Sequence, residues 1–532
     1  MMRSGAYRTS VSPIRRSNEL SNRLGRCLLT AARVSPTRLP GWGTPKCLPA
    51  MGGSRDMSSI WPPSRLRMCS ALRRPTWRRI IASPAFTSQR ESPLMRGSMM
   101  SQIKPDSWKS LPGPDDTTRT VLPNGITLLT RSNFNSPSVF MSGYLASGSV
   151  FDPLDKLGLA DFTALSLMRG TQAYSFQEIY DQLESAGASL GFGASVHNVS
   201  FGGRALAEDL SLLMRLLSEV MRRPVFPPEH VERLRAQLLT ALAIRNQETG
   251  DLADMAFDEI IFPNHPYGRP EDGYPETIQA ISRADLVEFH RSHYGPNRMV
   301  VVIAGAVKAQ QAIDQVQAAL GGWCNPSLEP LPELPAVHDL ETSVRKHIPV
   351  AGKYQTDLVL GTMGPRRGSP DFMAASLGNS ILGQFGMMGR IGDVVREKAG
   401  LAYSASTSLS AFIDAGVWEV SAGVNPANLQ RAIDLILQEL QRFTREPVSG
   451  EELQDSQANY IGQLPLSLES NAGVVNALLK IERFQLGLDY YQRYPDLVEA
   501  VTPEMIQEAA QRYWHLDRLA VVSAGPDLHD VQ

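Results

Sequence analysis

The segment AISRADLVEFHRSHYGPNRMVVVIAG, Ala280 to Gly305, returns without a gap as AVTPEMIQEAAQRYWHLDRLAVVSAG, Ala500 to Gly525, 220 positions further on. Each copy reads as a capped amphipathic helix, a turn, an arginine (Arg298 or Arg518) and an apolar strand closing on Ala-Gly. Identities are few, and the shared order of elements carries the match. It points to internal duplication of a unit of about 200 residues, an ordinary domain size. Between the copies lies NPSLEPLPELPAVHDL, Asn325 to Leu340, with four prolines. This stretch is expected to be an extended linker that keeps the two units from packing as one continuous core. At 532 residues the chain is long enough for two such units.

The first unit is expected over residues 117–324. In RTVLPNGITLLTRS, starting at Arg119, Asn124-Gly125 separates two apolar runs, a hairpin signal that needs positive φ. SVFMSGYLAS follows as a buried strand, because its apolar residues are not helically spaced. Gly158 to Arg169 reads as a helix, and SFQEIYDQLESAG as another, with Ser175 and Glu178 as a capping box and Gly187 at its end. SLGFGASVHNVSFGGRAL fits paired strands, and two amphipathic helices follow, the second with Pro228 near its start. FPNHPYGRPEDGYPETI reads as a turn-rich connection. In the second unit, residues 341–532, strands are expected at KHIPV, DLVLGTM and GVWEVSAGV. Helices are expected over Asp371–Leu382, over Asn425–Phe443 and from Gly450.

Charge divides the chain elsewhere. Residues 1–100 hold 17 Arg and one Lys against three acids, a net of +15. Subtraction from the totals leaves 34 basic and 51 acidic residues after position 100, a net of −17. The Arg-, Ser- and Pro-rich first segment has no sustained periodicity and is expected to be a disordered basic extension. It fits an organellar transit peptide, a nucleic-acid-binding tail, though without a dense basic block, or upstream sequence preceding a true start at Met99 or Met100. The last of these accounts best for its Pro-rich interruptions. CLLTAA is too short an apolar core for a secretory signal. No run of 18 apolar residues exists, so no membrane span is expected, and no nucleic-acid partner is assigned to the body. Cys324 is the only cysteine of the body, which excludes an internal disulfide there and a cysteine-based zinc site.

The chemistry is carried by two stretches. GLADFTALSLMRGT, Gly158 to Thr171, resembles the GLAHxxEHMxFKGT segment of the insulinase/pitrilysin zinc-peptidase family, in which two His and a Glu on one helix form the metal site. Asp161 stands at the first His, Ala164 at the Glu and Leu165 at the second His. The family's further Glu ligand, about 75 residues on, would fall among Leu239, Thr240, Ala241 and Leu242, where no carboxylate occurs. None of the nine histidines lies in HExxH or HxxEH. His290 and His293 share a helix face with no carboxylate between them, which reads as packing.

VVREKAGLAYS, Val394 to Ser404, resembles the family's second-domain motif REKxGLAYS, with Arg396 and Tyr403 seven residues apart. The resemblance implies that the arginine binds substrate backbone and that the tyrosine hydroxyl stabilises the developing oxyanion. Read without the motif, the pair is a helix-end charge and a strand aromatic. Upstream, ILGQFGMMGRIG sets Gly383, Gly386, Gly389 and Gly392 three apart, in the slot of the family's LGGGxSSRLF. Glycines there permit close approach to substrate or a moving flap. The non-catalytic subunit of the mitochondrial processing peptidase has a glycine-rich loop in a similar place. A phosphate loop is excluded, since no GK[ST] follows. HPYGRPEDG, His265 to Gly273, matches the landmark HPYGxPxxG and reads as a shaped turn.

The resemblance implies an α+β fold of two homologous domains, each a curved, mainly antiparallel sheet packed with helices. It implies a non-catalytic, substrate-binding subunit of a heterodimeric zinc metallopeptidase. The chain would have no cofactor of its own, zinc would sit in an HxxEH-bearing partner subunit, and peptides or presequences would be the substrate. Two alternatives are a structural scaffold resembling the core proteins of the respiratory cytochrome complex and a metallopeptidase active alone. The compartment expected is the cytoplasm of a bacterium, or the mitochondrial matrix if residues 1–100 are a transit peptide.

Overall fold

The computed structural model describes residues 111–386 and 389–527. The expectations for residues 1–100 lie outside them.

Six strands form the first sheet: β1 (Thr117–Val121), β2 (Thr127–Ser132), β3 (Ser138–Leu145), β4 (Ser189–Ala194), β5 (Val199–Leu206) and β6 (Met299–Gly305). Their order is β1-β2-β6-β3-β5-β4, antiparallel except for the β2–β6 pair. The second sheet comprises β7 (Val344–Pro349), β8 (Thr356–Gly364), β9 (Ala402–Ala411), β10 (Gly416–Val424) and β11 (Ala520–Gly525). Its order, β7-β11-β8-β10-β9, has one parallel pair, β7–β11. Without β1 the first sheet has the same order and the same strand directions, so the duplication extends through the topology. The two copies of the repeated segment end in the central strands β6 and β11. Both are buried along their whole length, which is why they read as unbroken apolar runs.

The first half carries helices α1 (Leu159–Ser166), α2 (Phe176–Ser185), α3 (Leu210–Arg222), α4 (Pro228–Arg245), α5 (Thr249–Ile261), α6 (Pro275–Ala280), α7 (Arg283–His293) and α8 (Ala309–Leu320). The second carries α9 (Phe372–Gly383), α10 (Gly389–Gly392), α11 (Leu429–Arg445), α12 (Gly450–Ser467), α13 (Asn471–Phe484), α14 (Tyr490–Glu499) and α15 (Pro503–Tyr513). The local signals of the sequence have physical counterparts. Gly125 takes φ +89° in the first turn, Gly187 takes φ +61° after α2, and Ser175 and Glu178 form their reciprocal capping bonds.

Helix α5, between α4 and the HPYG turn, is not among the elements expected from sequence. Its apolar residues Ala253, Ala256, Phe257 and Ile261 do not face the first sheet. They pack on Val359, Val417, Val522 and Ala524 of the second. Conversely, Val474, Val475, Leu478 and Ile481 of α13 pack on Leu129, Val300 and Val302 of the first sheet. Polar contacts follow the same exchange. Arg119 of β1 makes a two-point ion pair with Glu482 at 2.9 and 2.7 Å, and Lys346 of β7 lies 3.5 Å from Glu259. Each sheet thus covers one face with its own helices and the other with a helix of the opposite half. The halves keep separate main cores, yet they also share two mixed clusters, and Val337 and Leu340 of the stretch 325–340 pack against one of them. Mutual burial of two helices outweighs the stiffness of four prolines, because each exchanged helix removes a full apolar face from water.

Candidate functional site

Helix α1 starts at Gly158 (φ +93°), and the buried Asp152 carboxylate accepts the N–H groups of Gly158 and Ala160 at 2.9 Å each. Asp152 thereby satisfies donors that a helix start leaves unpaired. The three positions aligned with metal ligands then fall as follows. Asp161 accepts the backbone N–H of Ala194, at the end of edge strand β4, at 3.1 Å. Ala164 is wholly buried in the first core, and Leu165 packs against that core. On α4, Leu239 packs against the same core, Leu242 is buried, and Thr240 Oγ1 donates to the Ala236 carbonyl within the helix. Hydrocarbon side chains offer a cation no lone pair, and Asp161 alone cannot supply three ligands. Among the described residues no three His, Cys, Asp or Glu side chains are grouped so as to hold a metal ion.

His290 and His293 are held in packing contacts. His290 Nε2 lies 2.8 Å from the Met221 carbonyl, and His293 packs on Phe151 and Phe289. Burial pushes both imidazoles below their ordinary pKa, so they sit neutral. His265 accepts the Tyr267 N–H at Nδ1 and caps the short turn of HPYG. Tyr267 stacks on Phe412 of the second half at 4.4 Å, so this turn is a packing contact between the halves.

A run of carboxylates links α1 to the second sheet, which sequence reading missed. Asp161 is pushed up to about 6 by burial, with Asp272 and Glu271 of the HPYGRPEDG turn adding repulsion. Asp258 of α5 is pushed up to about 8 by burial, helped by Glu419, Asp254 and Glu271. Glu419 of β10 rises to about 7 through burial and the charge of Asp254. Only the exchange of α5 brings its Asp254 and Asp258 beside β10, so no local pattern could reveal the cluster. A pH dependence follows. The folded pKa values of Asp258 and Glu419 exceed the unfolded value near 4, so the folded chain binds more protons between about pH 4 and 8. Stability therefore falls as pH rises through 7 to 8. Thermal melts are expected to show a Tm a few degrees lower at pH 8.5 than at pH 6.5, with a flatter slope for Asp258→Asn.

The second candidate stretch is shaped by two backbone irregularities. Arg396 lies in a π-helical turn, Asp393–Lys398, anchored by the wholly buried Val395 and closed by bonds from the Gly400 and Leu401 N–H groups to the Arg396 and Val395 carbonyls. Gly400 then takes φ +63° and strand β9 begins. Along β9 and β10, Ser404 faces Gly423 but Ala402 faces Val424, leaving Tyr403 as the extra residue of a β-bulge. The bulge throws its side chain outward: Tyr403 is 86% exposed, on the edge strand of the sheet. The corresponding β4–β5 pair of the first half runs without a shift. π-turns and bulges both recur where a side chain must be re-aimed at a functional site.

The four glycines do not behave alike. A Cβ on Gly383 would meet the Thr407 backbone N at 2.4 Å, and one on Gly389 would meet the Gly383 N at 2.6 Å. Close packing explains these two positions, in place of the moving flap that their spacing suggests. Gly392 is buried at the start of the π-turn. Gly386 (φ +63°) has open space around it. Arg390, in this stretch, makes a two-point bond to Glu452 at 2.7 and 2.7 Å, with Glu439 at 3.8 Å. Arg390 holds the Glu452 carboxyl down to about 2, so this pair stabilises the chain above about pH 4.5 and is lost as pH falls toward 2. Arg390→Met is expected to cost about 2 kcal/mol at neutral pH by denaturant titration, because it leaves a half-buried carboxylate unpaired.

Comparison with known proteins bears on both stretches. Residues 127–271 match the family profile described as insulinase (peptidase family M16), and residues 280–460 match the one described as the peptidase M16 inactive domain. An uncharacterized zinc protease of Streptomyces coelicolor is 26% identical over 367 residues, 68% of this chain and 80% of its own. The mitochondrial-processing peptidase subunit beta of Saccharomyces cerevisiae is 26% identical over 382 residues, with the same coverage. Among solved structures, a peptidase M16 inactive domain from Pseudomonas fluorescens superposes with a TM-score of 0.72 at 24% identity, covering 77% of this chain and 98% of that one. A protease from Helicobacter pylori gives 0.72 at 17% identity, covering 78% and 100%.

Proposed function

The chain belongs to the insulinase (peptidase M16) family, and from that premise we propose that it is a non-catalytic, substrate-binding subunit of a heterodimeric zinc peptidase. The metal and the HxxEH motif would belong to a partner of the same family, and this chain would contribute Arg396 and Tyr403 to the partner's site. One observation carries the reading. Two local departures from regular backbone, the π-turn at Arg396 and the bulge at Tyr403, fall on the two motif residues, and the bulge presents a phenol to solvent. A side chain that only packed would gain nothing from that exposure. The same chain places Ala164 and Leu165 in its core where ligands would stand.

In this reading the Arg396 guanidinium would fix substrate backbone carbonyls and the Tyr403 hydroxyl would donate to the developing oxyanion, while the metal chemistry would be supplied by the partner. A donor already aimed at that position stabilises charge without reorganising during the step. The net acidity of the chain after residue 100, 51 acids against 34 bases, favours peptides bearing Lys or Arg.

The test mixes the purified chain with an HxxEH-bearing relative from the same source and measures cleavage of a basic peptide and co-elution on size-exclusion chromatography. Association with cleavage only in the mixture supports the proposal. Association without any gain in cleavage favours the scaffold.

A further inference from the structure

Between α9, α12, α13, α14 and edge strand β9 lies a cleft of about 780 Å³. Under the repeated topology, α9, α12 and β9 correspond to α1, α4 and β4 of the first half. In the first half Phe162 and Ala164 of α1 are wholly buried, and the Arg235 guanidinium of α4 lies 5.2 Å from the Phe162 ring. The cleft of the second half has a volume in the range of small-molecule sites.

Its walls are chemically one-sided. Among the described residues, Arg367 and Lys480 are its charged lining residues and no carboxylate lines it, although the chain after residue 100 carries 51 acids against 34 bases. The Arg367 guanidinium lies 4.2 Å from the Phe372 ring and 5.5 Å from that of Tyr490, and its Nη2 donates to the Tyr490 hydroxyl at 2.9 Å. Neither Arg367 nor Lys480 has a carboxylate partner among the described residues. The hydroxyls of Tyr491 and Tyr494 make no hydrogen bond to another described residue. Burial raises both above the ordinary tyrosine value, so they remain protonated donors at neutral pH. The remaining wall is mixed: Phe484, Leu409 and Leu464 form an apolar side, and Ser380, Gln384 and Asn459 are among its polar residues. Unpaired cations and neutral donors beside apolar rings suit a ligand with a single negative charge on an apolar body. A guanidinium held flat on a ring still offers its edge to a carboxylate.

We propose that this cleft binds a small amphipathic carboxylate, its apolar body on the aromatic wall and its carboxylate between Arg367 and Lys480. The proposal is independent of the peptidase-subunit reading, because it concerns no residue of α1 or of the Arg396–Tyr403 stretch. Isothermal titration of the full chain with 4-phenylbutyrate and with decanoate is expected to give a Kd on the order of 100 µM for at least one acid. 4-Phenylbutanol and 4-phenylbutylamine, which keep the body and change the head, are expected to bind at least tenfold more weakly. Arg367→Gln should weaken acid binding by tenfold or more. Since Arg367 also packs on rings, Lys480→Glu at an exposed position serves as the second variant. It should abolish binding with an unchanged Tm. Equal binding of acid and alcohol, an unaltered Kd in Lys480→Glu, or no binding of either acid at millimolar concentration would overturn the proposal. So would binding confined to a peptide with a free C-terminal carboxylate.

Discussion

Phe257→Ala is expected to lower the stability of both halves together by about 3–5 kcal/mol, the range for deleting a fully buried phenylalanine. Phe257 belongs to α5 of the first half, yet it is wholly buried among Val359, Val417 and Val522 of the second sheet. A Cβ on Gly361 would approach its ring at 2.8 Å, so strand β8 comes close to it and cannot readily refill the space. Its loss therefore loosens the second sheet through a helix that belongs to the first. Guanidinium titration should show far-ultraviolet circular dichroism and tryptophan fluorescence shifting to the same lower midpoint. Trp323 reports on the first core and Trp418 on the second. If the exchange did not couple the halves, two transitions would separate and only one would move. Val287→Ala, at an exposed position of α7, provides the control and should change stability by less than about 0.5 kcal/mol.

Tyr403→Phe is expected to leave Tm unchanged and to reduce cleavage by the mixture with an HxxEH partner about 10²–10³-fold, the loss seen when one oxyanion donor is removed. Removing a single hydroxyl from a side chain 86% exposed breaks no packing, so structure and function separate cleanly at this position. The fall should appear in kcat and in kcat/KM alike, because the donor acts on charge that exists only in the transition state. Arg396→Lys should instead raise KM, since a guanidinium fork that grips backbone carbonyls is not reproduced by an ammonium. Equal activity of Tyr403→Phe and the parent mixture would remove the tyrosine from the proposed chemistry.

Much of the fold was legible where its causes are local. The β6 and β11 segments announce themselves because strands covered on both faces must be apolar throughout. Asn124-Gly125 and the Ser175–Glu178 box announce themselves because a turn or a cap needs particular residues at particular offsets. The exchange of α5 and α13 was illegible for the opposite reason. An amphipathic helix shows that it has an apolar face, as Ala253, Ala256, Phe257 and Ile261 do, but not which sheet will receive it. The proline-rich linker likewise gives no sign that the halves share two mixed clusters beside their separate cores. At the candidate site, the REKAGLAYS residues are visible in sequence as a pattern. The bulge that turns Tyr403 outward depends on the register of β9 against β10, which no local signal encodes. The carboxylate run was hidden likewise, since Asp258 and Glu419 are 161 residues apart (419 minus 258) and meet only through the exchange.

Under the proposed function this chain holds no metal of its own and acts only through a partner. Metal analysis of the purified full-length chain after incubation with zinc, paired with its rate of peptide cleavage, tests it most directly. Substoichiometric zinc and no cleavage above background are expected, with cleavage emerging on addition of an HxxEH-bearing relative. One tightly held zinc per chain, with cleavage by the lone chain that a chelator abolishes, would contradict it.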